Sequence, residues 1–120
     1  MYSPRAKQKI EIELRAAQAA REDGLEGQAR VCARRAAGVA ARLYLRQRGQ
    51  PGQGSAYELL QTLQSLDGVP PAAQHAAEML TQRVTRDHNL PIEADLLEEA
   101  RELIDLLEPE DSDSENYSNN

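Results

Sequence analysis

The chain contains no phenylalanine and no tryptophan, and its only aromatic residues are Tyr2, Tyr44, Tyr57 and Tyr117. A core without large rings must be filled by Leu, Ile, Val, Met and alanine. That composition suits closely spaced helices and disfavours a β-sandwich, whose strands draw on β-branched and aromatic residues. Cysteine is nearly absent: Cys32 stands alone, which leaves no partner for an intrachain disulfide and no cysteine-based zinc cluster. Its neighbours are alanines, and a small buried side chain is its expected role. Nowhere is there a run of about 18 apolar residues, so no membrane span is expected. The opening MYSPRAKQKIEIEL has no apolar stretch of the kind a secretory signal carries, and a reducing cytoplasmic setting is the expectation. At 120 residues there is room for one small domain.

Acidic residues are also missing, but only locally. None lies between Gly27 and Tyr57, where Arg30, Arg34, Arg35, Arg42, Arg46 and Arg48 all fall. Residues 1–50 carry 11 basic and 5 acidic side chains, a net of +6, while residues 51–120 carry 3 basic and 15 acidic, a net of −12; the two add to the overall −6. A modest total thus conceals a strong polarity. Such a division suits either a positive surface for an anionic partner or a basic helix docked on an acidic one.

The chain itself is patterned for five helices. Ala6, Ile10, Leu14, Ala17 and Ala20 form one apolar stripe over Pro4 to Asp23, and Gly24 supplies a stop. A second helix spans about Glu26 to Arg48. Its wide apolar face carries Cys32, Ala33, Ala36, Ala37, Val39, Ala40, Leu43 and Tyr44. The alanines every third or fourth residue invite a neighbouring backbone to come close. Gly49–Gly54 reads as a loop, and Ser55-Ala-Tyr-Glu58 as a capping box that opens a third helix with Leu59, Leu60, Leu63 and Leu66 inward. A fourth helix is expected from Pro71 to Arg86, burying Ala73, Ala76, Ala77, Leu80 and Val84. Pro91 marks a break. The fifth, about Ile92 to Leu107, has Leu96, Leu97, Ala100, Leu103, Ile104 and Leu107 on one face, with acids crowding its first turns. Short connections join antiparallel neighbours, so the fold class is all-α: an up-and-down antiparallel bundle of about five helices forming a single domain over 1–107. Residues 108–120 are charged and lack an apolar period, which reads as a disordered acidic tail.

On the second helix Arg35, Arg42 and Arg46 fall on a narrow stripe opposite the apolar face, with Arg34 flanking it. Three roles are open to this stripe: a solvated face, pairing with acids of the fifth helix or of a second subunit, or nucleic-acid or partner binding through phosphate or carboxylate groups. No aromatic accompanies it, so a stacking platform for single-stranded RNA is not indicated. The acidic tail either repels nucleic acid or covers the basic face as an internal mimic. His75, beside Glu78 and Met79, has too few companions for a metal site and reads as a surface or half-buried residue; no metal and no cofactor is expected.

In the order of its parts the chain resembles the HEPN superfamily over about residues 10–107. A helix ending in Arg21-Glu-Asp-Gly24 is followed by the Ala-rich stretch QARVCARRAAG of residues 28–38. A glycine loop, the short helix opening at Tyr57-Glu-Leu-Leu60, a helix ending at Leu80-Thr-Gln-Arg83 and a last helix opening with Leu90-Pro-Ile-Glu-Ala-Asp95 complete the likeness. The resemblance implies a helical bundle, often a homodimer, that works in RNA- or nucleotide-related regulatory and defence complexes of the toxin–antitoxin kind, with a cognate protein or RNA as partner. Many members are metal-independent endoribonucleases that use an Arg-x(4–6)-His motif. Others are non-catalytic interaction modules, and here such a module would dock a partner through the arginine-rich helix. Arg83-Val-Thr-Arg-Asp-His88 is the one such string in the sequence. By the resemblance, His88 would be the acid or base and Arg83 the stabiliser of phosphorane charge. On a continuous helix, residues five apart point about 140° apart. Arg83 and His88 therefore converge only if the chain bends before Pro91 or a dimer mate supplies one of them.

Overall fold

A computed structural model describes residues 1–82 and 95–109. Five helices occur among them: α1 (Pro4–Glu22), α2 (Glu26–Gln47), α3 (Ala56–Ser65), α4 (Pro71–Leu80) and α5 (Leu96–Leu106). The chain is an all-α helical bundle. Each helix packs on the next, and α5 returns to lie against α2.

Local sequence explains where the helices start and stop. Ser3 caps α1 by accepting the Ala6 N–H at 3.2 Å, and Pro4 occupies the first turn, where its missing donor costs nothing. Gly24, at φ +76°, turns the chain out of α1. The capping box of α3 is complete: Ser55 Oγ accepts from the Glu58 N–H at 3.2 Å, and the Ser55 N–H donates to Glu58 Oε1 at 2.8 Å. Asp95 caps α5 by accepting the Glu98 N–H at 3.1 Å. α4 ends at Leu80, short of the expected Arg86. There the Thr81 hydroxyl donates to the Glu78 carbonyl at 3.1 Å, the acceptor that the Gln82 N–H would use in a continuing helix, and the Gln82 N–H donates to the Met79 carbonyl instead. The expected burial of Val84, the Pro91 break and the Ile92–Ala94 start of the last helix lie outside the described residues.

α2 is the central element. Ala33, Ala36, Ala37, Ala40 and Ala41 are all fully buried, because α1, α3 and α5 pack around this one helix. Ala41 is buried as the alanine spacing implies, but the face expected from the periodicity is too narrow on one side: Gly38 and Leu45 are buried as well. It is also too generous on the other, where Val39 and Leu43 are only half-buried at the seam between α1 and α2. α3 packs tightly at Gly38, where an added Cβ would stand 2.6 Å from the Ala56 Cβ. The remaining volume is filled by Leu59, Leu60, Leu63, Leu80 and Leu103, each contributing roughly 1.5–3 kcal/mol by burial.

Two long-range ties fix α1 relative to α5. The Tyr2 hydroxyl donates to the Ile104 carbonyl at 2.6 Å, near the end of α5. At the other end of α1, Arg21 reaches Asp95 at 2.7 Å, at the start of α5. α5 therefore runs opposite to α1, whereas strict up-and-down alternation of five helices would make the two parallel. Residues expected to open the acidic tail are held as well. The Tyr2 N–H donates to Glu108 Oε2 at 3.3 Å, and the Met1 amino group donates to the Pro109 carbonyl. Residues 110–120 lie outside the described part.

Candidate functional site

The first turns of α1 lie beside the last turns of α2, because a three-residue connection folds the two helices back on each other. At that end they leave a cleft of about 330 Å³ between them. Its floor is apolar, made by Ala6, Val39 and Leu43, and its walls carry Arg5 and Lys9 from α1 and Arg42 and Arg46 from α2. Among the described residues no carboxylate lines it. Arg5 and Lys9 are four residues apart, as are Arg42 and Arg46, so each pair stands on one edge of its helix. Among the described residues none of these four cations is in an ion pair.

From Val39 and Arg42 the cleft continues toward the start of α3. There a second hollow, of about 250 Å³, is lined by Arg35, Gly38, Ser55 and Leu59 together with Glu13, the one carboxylate present. Arg42 sits where the two hollows meet. Its Nε donates to the Gly52 carbonyl at 3.2 Å and its Nη2 to the Gly54 carbonyl at 2.8 Å. The guanidinium thus latches the glycine loop onto α2 while keeping its charge and further N–H donors for the cleft. Gly52 is buried with φ +63°, and a Cβ there would stand 2.7 Å from Arg46 Cγ. The loop follows the arginine stems so closely that only glycine fits.

The arginines singled out from the sequence therefore separate. Arg42 and Arg46 join the basic cleft, and Arg35 lies exposed in its continuation. Arg34 turns the other way. Its Nε donates to the Leu80 carbonyl at 2.8 Å, satisfying the end of α4, and its guanidinium lies 6.0 Å from the centre of the Tyr57 ring. Burial, with Arg30 close by, pulls the Arg34 pKa below its ordinary value. Arg48, at the C-cap of α2, covers the Tyr44 ring at 4.1 Å, a cation–π contact. Among the described residues the stripe makes no ion pair with α5; the tie from the basic half to α5 comes instead from Arg21 on α1.

Arg5 and Lys9 were not singled out from the sequence. Each immediately precedes a member of the α1 apolar stripe, Ala6 and Ile10, so each stands at the edge of the buried face. That signal is legible only once α1 is known to lie antiparallel to α2.

Arg83 and His88 lie outside the described residues. His75 is exposed on α4, with Met79 below it in the core. Near it Glu99 is half-buried with Oε1 lacking a hydrogen-bond partner. Burial, followed by the charge of Glu102, raises the Glu99 pKa, and His75 opposes the shift. Among the described residues no three of His, Cys, Asp and Glu gather as a metal cage, and no helix is long and apolar enough to cross a membrane. Cys32 is buried, its Sγ 3.7 Å from Gln28 Nε2. The basic cleft is the most distinctive chemical feature of this surface, and no family model, curated protein or solved structure matches the chain to give it a precedent.

Proposed function

We propose that this chain is a small HEPN-like, RNA-associated binding module that holds the phosphate backbone in the cleft between α1 and α2. The observation that carries this reading is the convergence of Arg5, Lys9, Arg42 and Arg46 on one cleft without a carboxylate among them. Like charges brought together repel one another, and a polyanion relieves that repulsion while releasing its own counterions. Arg42 and Arg46 bring planar forks suited to phosphate oxygens, and Lys9 brings a point charge.

The cleft holds rather than cuts. Among the described residues it contains no histidine and, at its basic end, no acid, so they offer no carboxylate or imidazole proton shuttle for attack by a 2′-hydroxyl. Without an aromatic wall, binding is expected to depend strongly on salt and weakly on sequence. RNA cleavage, if the chain performs it, belongs to Arg83 and His88. A homodimer with a cognate protein partner in a regulatory or defence complex is part of the same proposal, and its support is the resemblance in the order of helices.

The test is fluorescence anisotropy with labelled single-stranded RNA in EDTA, followed by a gel of the same samples. Binding should weaken with salt along a log–log slope of about −3, four contacts at roughly 0.7 each. Replacing Lys9 and Arg46 by Glu should abolish it, whereas Arg101→Glu on α5 should not. Equal affinity for the wild type and the Lys9/Arg46 double variant would sink the RNA reading. An acidic protein surface would then be the cleft's ligand. The RNA should remain intact on the gel; cleavage lost in His88→Ala would instead assign a metal-independent endoribonuclease to the Arg83–His88 string.

A further inference from the structure

Glu108 and Pro109, the last residues before the chain's acidic segment, are tied to the residues that lead into α1. Tyr2 joins the two stretches. Its N–H donates to Glu108 Oε2 at 3.3 Å, its hydroxyl donates to Ile104 at the end of α5, and the adjoining Ser3 already lines the cleft with Arg5. Arg48 lines the same hollow as Glu108 and Pro109, so the exit point is itself flanked by positive charge. The segment that follows Pro109 reads Glu-Asp-Ser-Asp-Ser-Glu and contains Glu110, Asp111, Asp113 and Glu115, without a base.

We infer that the acidic segment Glu110–Glu115 is an intramolecular occupant of the Arg5–Lys9–Arg42–Arg46 cleft and competes there with the external polyanion. This rests on the cleft being an anion site, as proposed above. Reach is ample. Six residues extend to roughly 20 Å at about 3.4 Å each, whereas Tyr2 and Lys9 are separated by about 10 Å of helix rise. The segment need only follow α1 from its first turn. The segment carries four carboxylates to match four cations, and among the described residues no carboxylate lines the cleft wall. The tether does the rest. Covalent attachment at Pro109 holds the segment at an effective concentration of about 1 mM, so even a local affinity near 0.1 mM lowers the apparent RNA affinity about tenfold.

Two measurements test this separately from the RNA reading. In the first, RNA affinity at low salt is compared among the full chain, a chain ending at Pro109, and a full-length variant with Glu110→Gln, Asp111→Asn, Asp113→Asn and Glu115→Gln. Both altered forms should bind about tenfold more tightly; equal affinity in all three overturns the inference. The second needs no RNA. A nitroxide on Ser114→Cys, in a Cys32→Ala background, should broaden the NMR signals of Arg5, Lys9, Arg42 and Arg46 at low salt and release them at 0.5 M. A spectrum without that broadening overturns the inference. Broadening without RNA binding by any form would leave the segment docked and refute the RNA proposal alone.

Discussion

The Arg42 guanidinium donates to the Gly54 carbonyl at 2.8 Å, and through it the basic helix holds the loop that leads into α3. The same side chain lines the cleft, so structure and proposed binding meet in one residue. Arg42→Ala should lower stability by about 1–2 kcal/mol, since two hydrogen bonds from a charged donor are lost and two loop carbonyls turn to water. RNA affinity should fall with it. Arg46→Ala should reduce affinity to a similar degree without the stability loss, because Arg46 makes no hydrogen bond to the loop. Thermal melts beside anisotropy, with hydrogen exchange over Gly52–Ser55, separate the two effects. Equal melting temperatures for the two variants would refute the latch.

Gly38 and Ala56 are a point of tight packing between α2 and α3. A methyl group at residue 38 would meet the Ala56 Cβ at 2.6 Å. Gly38→Ala should therefore destabilise the fold by about 1–3 kcal/mol, despite the better helix propensity of alanine. If crowding is the cause, Gly38→Ala should cost much less when Ala56 is also changed to Gly. A double-mutant cycle in urea reads this coupling.

Asp95 accepts from both Arg21 and the Glu98 N–H. The hydrogen bond from Arg21 holds its carboxyl below the usual range, with the Glu98 backbone adding to the shift and burial opposing it. A carboxylate whose folded-state pKa is depressed stabilises the fold fully above its unfolded value, about 3.9, and that contribution is lost as pH falls through the lower folded value. Asp95→Asn should cost about 0.5–1 kcal/mol at neutral pH. Asparagine still caps the helix, and the exposed ion pair is screened by water. The difference between wild type and variant should shrink below about pH 4. A difference that persists unchanged at pH 2.5 would place the effect elsewhere than in this carboxylate.

Much of this architecture is legible in the residue order. Ser55 and Glu58 announce the capping box, Gly24 the end of α1, and the spacing of Leu96, Leu97, Ala100, Leu103 and Ile104 the buried face of α5. These are local rules: each needs only a few neighbouring residues to be satisfied, and no distant part of the chain alters them. The acid-free run from Gly27 to Tyr57 likewise shows that α2 is basic before any packing is known.

What periodicity could not supply was the role of each arginine. Arg34 and Arg35 are adjacent in sequence, but Arg34 donates to the end of α4 while Arg35 faces the open cleft, because α3 and α4 pack on one side of α2 only. Arg5 and Lys9 become partners of Arg42 and Arg46 only when α1 folds back across the turn at Gly24. The end of α4 at Leu80 was equally hidden, decided by the Thr81 hydroxyl and by Arg34 reaching the Leu80 carbonyl from another helix. Composition and spacing thus determined five helices, their buried faces and a chain divided by charge. Tertiary structure alone decided which cations converge, since convergence depends on the direction and proximity of helices far apart in sequence. It also tied the residues that precede the acidic segment to the start of α1, through the contacts of Tyr2 with Ile104 and Glu108.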